Sequence, residues 1–137
     1  MTKMITKLSK YILILFCFAI VVSCSKETGT FAFKNNNDDR YIIKDGLCEF
    51  NQDEKVNWAF CFTKVSKQKK IGVVILKKEN VWIDIYSFYD TVYKNKPCIY
   101  GNIEDYQVGT YKIIIVDKGN TIAEKEFVIY NENEIND

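Results

Sequence analysis

Along most of the chain, apolar and polar residues alternate with a period of two. No segment past residue 30 holds a 3.6-residue apolar period for the dozen residues a helix needs. The pattern predicts strands. Thr30 to Lys34 reads as a short first strand closed by the polar loop Asn35 to Asp39. Tyr41 to Lys44 and Leu47 to Phe50 flank Asp45-Gly46, the residues of a two-residue hairpin turn, which would set Ile43 opposite Cys48 and Tyr41 opposite Phe50. Val56 to Val65 puts Val56, Trp58, Phe60 and Phe62 on one face and Asn57, Ala59, Cys61 and Thr63 on the other, as in a central strand.

Ile71 to Leu76 and Val81 to Tyr89 follow as a pair joined by Lys77 to Asn80. A four-residue loop there pairs Leu76 with Val81 and Val74 with Ile83, making these and Ile85 the inward face. Ile71, Val73, Ile75, Trp82, Asp84, Tyr86 and Phe88 fall on the opposite face. Asp90 to Pro97 is less regular, and Cys98 to Asn102 after the single proline reads as a short edge strand. Thr110 to Val116 and Asn120 to Tyr130 flank Asp117-Lys118-Gly119, a three-residue hairpin with Gly119 left-handed. That register gives Tyr111, Ile113, Ile115, Ala123 and Phe127 one face and sets Lys112 opposite Glu124 on the other. Residues 131–137 read as an acidic tail.

About eight short strands at these spacings predict an all-β antiparallel sandwich over residues 31–130, with a small closed barrel as the alternative. Val108-Gly109-Thr110-Tyr111, followed by alternating apolar residues, resembles the penultimate strand of immunoglobulin-like domains, where a Tyr near the strand start ties down a loop. The resemblance implies an immunoglobulin-like sandwich. Two positions after Tyr111 stands Ile113 and not Cys, so the antibody-type disulfide is absent.

The first residues are an address. Lys3, Lys7 and Lys10 precede an uncharged run from Tyr11 to Val22, which is too short to span a bilayer comfortably and reads as an export signal. Val21-Val22-Ser23-Cys24 resembles the lipobox of bacterial lipoproteins, which implies cleavage before Cys24 and acylation of that cysteine. Residues 1–23 are then a signal peptide and 24–30 a lipidated tether, Lys26 to Thr30 being polar and glycine-containing. Cleavage removes 23 of the 137 residues and three of the 19 basic groups, turning the formal charge from +1 to −2. Acyl chains contribute about 0.8 kcal/mol per buried methylene, so three of them anchor the protein stably. Ser25 after the cysteine, where an Asp would resemble an inner-membrane retention signal, points to the outer membrane, facing periplasm or cell surface.

Composition then narrows the chemistry. The chain has no His, which removes Ser-His and Cys-His nucleophiles, His metal ligands and the usual neutral-pH proton shuttle. With 19 basic and 18 acidic residues it lacks the excess of a nucleic-acid binder. Of five cysteines, Cys17 leaves with the signal and Cys24 carries lipid, so Cys48, Cys61 and Cys98 remain in an oxidising compartment. One disulfide among these three and one buried thiol are expected. No catalytic residue, metal site or cofactor is expected: there is no glycine-rich phosphate loop, no Cys-x-x-Cys, and Asn35 to Asp39 lacks the alternating ligands and central Gly of a calcium loop.

The candidate binding patch is Trp82, Asp84, Tyr86 and Phe88, large aromatics beside one polar group, set against the plainer reading that this face is core. Tyr89, Tyr93, Tyr100 and Tyr106 add amphipathic area nearby in sequence. Lys64, Lys67, Lys69, Lys70, Lys77 and Lys78 surround two consecutive turns separated by about 20 Å of strand and read as two solvated loop tips. Asp84, Asp90, Glu104 and Asp105 are the carboxylates a glycoside-cleaving pair would draw on, with nothing to bring two together. The leading expectation is a non-enzymatic, lipid-anchored module that binds a protein or an envelope polymer. The alternative is a periplasmic hydrolase inhibitor or immunity-type protein acting through a loop with Lys94, Lys96 and Pro97. A carboxylate-based hydrolase comes last.

Overall fold

The alternation is realised as eight strands: β1 (Gly29–Asn35), β2 (Cys48–Asn51), β3 (Val56–Phe62), β4 (Lys69–Lys78), β5 (Trp82–Val92), β6 (Cys98–Ile103), β7 (Gly109–Asp117) and β8 (Asn120–Tyr130). A 3-10 turn follows at Glu132–Glu134. The computed structural model describes residues 28–134. The expected signal peptide, the lipobox-like stretch with Cys24 and most of the expected tether lie outside the described residues, as do 135–137 of the expected tail.

Two sheets form, of order β1-β3-β6 and β2-β8-β7-β4-β5. Every pairing is antiparallel except β2 with β8. Lettered as immunoglobulin strands, β1, β3 and β6 are A, B and E, while β4, β5, β7 and β8 are C, C′, F and G. The chain is an immunoglobulin-like β-sandwich without a strand D among the described residues, with β2 as an added edge strand on G, and the two separate sheets exclude a closed barrel. The Tyr111 hydroxyl donates to the carbonyl of Gln107 at 2.6 Å, which holds down the β6–β7 connection as the resemblance implied.

Inward residues fill the space between sheets. Phe31, Phe33, Trp58, Phe60, Ile99 and Ile103 of one sheet meet Phe50, Ile71, Val73, Ile75, Ile113, Ile115, Phe127 and Ile129 of the other, all of them buried. Each such side chain contributes about 1.5–3 kcal/mol by leaving water. Tyr111 stacks on Phe127 with ring centroids 5.3 Å apart. The face Tyr111, Ile113, Ile115, Phe127 is buried as expected, with Ala123 packed against it.

Three expectations about register are corrected. The hairpin across Asp45-Gly46 does not form. Ile42 instead bridges Phe33, each amide donating to the other's carbonyl at 2.8 Å, and the chain then crosses to the second sheet, where Cys48–Asn51 runs parallel to β8. Gly46 does turn the chain, with φ 73°. The crossover wins because it carries Cys48 and Phe50 into the core, and because the Lys125 ammonium donates to the carbonyls of Lys44 and Gly46 at 2.9 and 2.8 Å.

In the β4–β5 pair the buried face is mainly the opposite of the one expected. Ile71, Val73 and Ile75 are buried and Val81, Ile83 and Ile85 are exposed; of the expected inward residues only Leu76 is buried. Both faces of β4 are apolar, so alternation alone cannot choose between them. The choice comes from β7, whose Ile113 and Ile115 stand opposite Ile75 and Val73 on the core side. The turn is also tighter than expected: Lys78 pairs with Trp82, and the Glu79 amide donates to the Val81 carbonyl at 2.9 Å.

The β7–β8 turn has two residues and not three, since Asp117 pairs with Asn120. Lys118 and Gly119 both have positive φ, 50° and 79°, as a type I′ turn requires. With that turn and a bulge that leaves Ile122 of β8 unpaired, Lys112 stands opposite Glu126, and its ammonium lies 3.3 Å from Glu126 and 3.6 Å from Glu124.

Candidate functional site

Between the free edges of β5 and β6 the two sheets do not close over each other. β5 pairs only with β4 and β6 only with β3, and the gap between them is a cleft of about 480 Å³. Trp58 forms its floor; Phe88 and Tyr86 form the β5 wall, and Tyr100 and Asn102 the β6 wall, with Tyr106 at one end. Five of its nine lining residues are aromatic and none is charged. The sequence explains the opening locally. Gly101 on β6 sits directly over the Trp58 ring, where a Cβ would stand closer than 3.0 Å to the indole. A glycine inside a strand marks such a close approach.

A bulge shapes the other wall. β5 pairs Tyr86 with Ile75 and Asp84 with Leu76, which leaves Ile85 as an extra, unpaired residue. Parity therefore reverses at Ile85, and the four residues of the sequence patch do not share a face. Tyr86 and Phe88 turn into the cleft, 5.7 Å apart between ring centroids, and Phe88 packs on Trp58 at 6.5 Å. Trp82 and Asp84 lie on the outer face of the five-stranded sheet, level with Lys78 and Leu76. There Trp82 covers the Lys112 ammonium at 4.5 Å, so its ring is used in holding a nearly buried lysine between two glutamates. Asp84 is exposed.

A second, shallower hollow of about 360 Å³ adjoins the first on the outer face of the three-stranded sheet. It is lined by Tyr41, Asn57, Tyr100, Gly101 and Asn102. The stretch Tyr100-Gly101-Asn102 belongs to both, so the two hollows are continuous across the edge of β6. Tyr41, brought in by the crossover, stands 5.9 Å from Tyr100. Tyr41, Tyr86 and Tyr100 are 38%, 59% and 51% exposed, three aromatic faces along one path. Burial raises Tyr106 above the ordinary tyrosine value, with Tyr111 and Tyr86 adding to the shift, so its hydroxyl stays a neutral donor at the cleft end. Burial, with Tyr100 beside it, raises Tyr41 in the same way.

The other sequence candidates fall elsewhere. Tyr93 and Lys96 bridge each other through both backbone pairs, at 3.0 and 3.1 Å, so Lys94 and Lys96 ride on a tight turn with Pro97 just beyond it. Cys61 on β3 is bonded to Cys98 on β6, across directly paired positions with Cα atoms 4.1 Å apart. Cys48 is buried, and burial raises its thiol against the opposing pull of Lys125 and Lys44. Asp84, Asp90, Glu104 and Asp105 are not brought together: Asp84 lies mid-edge on the outer face, Asp90 near the far end of β5, and Glu104 pairs with Lys55 at 3.0 Å beyond β6. Among the described residues no group of three or more His, Cys, Asp or Glu could hold a metal ion. In the sequence Tyr100 and Tyr106 stand out only as amphipathic area near the patch, and Tyr41, Gly101 and Asn102 do not stand out as site residues.

No protein-family model matches the chain, and no curated protein matches it. Among solved structures it is similar to an immunoglobulin-like protein from Pseudomonas aeruginosa, at 12% identity and a TM-score of 0.49, over 79% of this chain and all of the other.

Proposed function

We propose that the protein is a lipid-anchored binding module of the bacterial cell envelope, non-enzymatic, whose ligand is an envelope glycan lying across β6 in the two joined hollows. The observation that carries this reading is the uncharged aromatic path through Tyr86, Tyr100 and Tyr41 over the bare backbone of Gly101. Sugar rings present apolar C–H faces that stack on such side chains, while the Asn102 amide and the tyrosine hydroxyls can bond their hydroxyl groups. A charged peptide would find no ionic partner in the lining. The anchor rests on the lipobox resemblance at Cys24, and the outer membrane on Ser25.

The test is retention of the purified protein on insoluble envelope polysaccharide, with Tyr86→Ala and Tyr100→Ala as the informative variants. Loss of retention in both, with the unfolding midpoint held, supports the reading. Unchanged retention in the double variant, or no retention of the wild type on any envelope glycan, sinks it. The mass of the mature N-terminus reads the anchor separately, as an acylated Cys24.

A further inference from the structure

Three residues separate Cys24 from Thr28, and the four Cα-to-Cα steps between them reach at most about 14 Å when fully extended. Thr28 is already fixed to the body: its carbonyl accepts from the Thr63 amide at 3.2 Å, and its hydroxyl donates to the Ile122 carbonyl at 3.0 Å. The domain is thus held by one end. That end is made of the β3–β4 loop, the Tyr93–Lys96 turn and the Lys118-Gly119 turn, as the pairings of Gly29 with Phe62, Lys69 with Val92 and Gly72 with Val116 require.

Charge is sorted along the same axis. Lys64, Lys67, Lys70, Lys94, Lys96 and Lys118 cluster at the tether end, all exposed and none in an ion pair among the described residues. Among the described residues Asp90 and Asp117 are carboxylates at this end of the pairing, and Asp117 is already held by Lys69 at 3.0 Å. The opposite end carries Asp38, Asp39, Asp53, Glu54 and Asp105 in its exposed or half-exposed loops, with Arg40 and Lys55 among them, Lys55 being paired with Glu104. Lys77 and Lys78 lie toward that far end, so the two lysine groups around β4 are separate, and the near one is enlarged by the other two turns.

We infer that the lysine-rich end is a docking surface for anionic phospholipid headgroups, which sets the sandwich upright on its membrane with the acidic end outward. The inference rests on the lipid anchor proposed above. A tether of about 14 Å keeps this end close to the bilayer, and charges act over a screening length of about 8–10 Å. Each lysine near an anionic surface shifts the docked-to-undocked ratio about fivefold.

The experiment uses the full chain, expressed with its own leader, purified after processing and reconstituted into vesicles. The vesicles are pure phosphatidylcholine or one-third phosphatidylglycerol. A fluorescent amino acid replaces either Asn95, in the tether-end turn, or Asn80, in the far turn, and energy transfer to a headgroup acceptor is read. Docking predicts stronger transfer from position 95 than from 80, enhanced by phosphatidylglycerol and weakened by high salt. The combined Lys64→Gln, Lys94→Gln and Lys96→Gln variant should cut the docked ratio about a hundredfold with the unfolding midpoint unchanged. Equal transfer from both positions, or transfer indifferent to lipid charge and to the lysines, overturns the proposal. A mature N-terminus without acyl mass overturns the anchor reading itself, and is recognised before any vesicle is made.

Discussion

The Trp58 indole and the α-carbon of Gly101 lie face to face across the β3–β6 pair, close enough that no side chain fits between them. Gly101→Ala forces the ring or the β6 backbone to move. A destabilisation of about 1–3 kcal/mol is expected, from the cost of overpacking a filled site. Urea unfolding of the variant measures it, and an unchanged midpoint would show that the ring yields freely.

The two walls of the cleft can be separated from the rest of β5 by substitution. Tyr86→Ala and Tyr100→Ala should each change stability by less than about 1 kcal/mol, because both rings are more than half exposed. Trp82→Ala should leave glycan retention intact. Its expected cost is about 0.5–2 kcal/mol through the lost cover of Lys112. Retention measured beside unfolding distinguishes these outcomes, and a retention defect in the Trp82 variant would move the binding surface to the outer face.

The disulfide closes a loop between positions 37 residues apart. Reduction, or Cys61→Ala with Cys98→Ala, should lower stability by about 2–4 kcal/mol. Denaturant titration with and without reductant checks this. Thiol labelling adds an independent readout: the buried Cys48 should react only as the sandwich opens.

Alkaline pH probes the tyrosine cluster. Burial raises both Tyr106 and Tyr111 above the ordinary value near 10, with Lys77 partly opposing the shift at Tyr111. A raised folded-state value means that the native state keeps its proton longer than the unfolded chain, so the contribution is whole below pH 10 and is lost as pH rises through the folded value. Tyr106→Phe should flatten the fall in stability above pH 10. Tyr111→Phe should flatten it too, at a cost of about 0.5–1.5 kcal/mol at neutral pH for the lost bond to Gln107. Parallel alkaline limbs in wild type and variants would show that these hydroxyls do not set the slope.

Much of this architecture is legible in alternation and turn residues, and the failures share a cause. Val56 to Phe62 has one strongly aromatic face, and Tyr111 to Ile115 has one apolar face beside a lysine, so both strands show their inward side unambiguously. β4 is apolar on both faces because it is central, and its orientation is decided by β7, a partner far off in sequence. The same holds for Cys48–Asn51: its local signal fits a hairpin, but it pairs with a strand nearly eighty residues later. For the candidate site the difference lies at one residue. The bulge at Ile85 follows from no composition rule, yet it decides which aromatics of β5 face the cleft. Gly101 was the available clue, a glycine within a strand whose opposite partner is a tryptophan.

The way β1 enters the molecule has a mechanical consequence. Its first residue is the one nearest the tether, and its seven residues pair along their whole length with β3. Under the proposed anchor and ligand, tension between the two would pull β1 lengthwise, so its rungs would be loaded together in shear and not opened one after another. β3 passes that load to β6 through the Cys61–Cys98 bond, close to the point of entry. The edge strand that first feels the pull is thereby coupled covalently, through its neighbour, to the strand that carries one wall of the cleft.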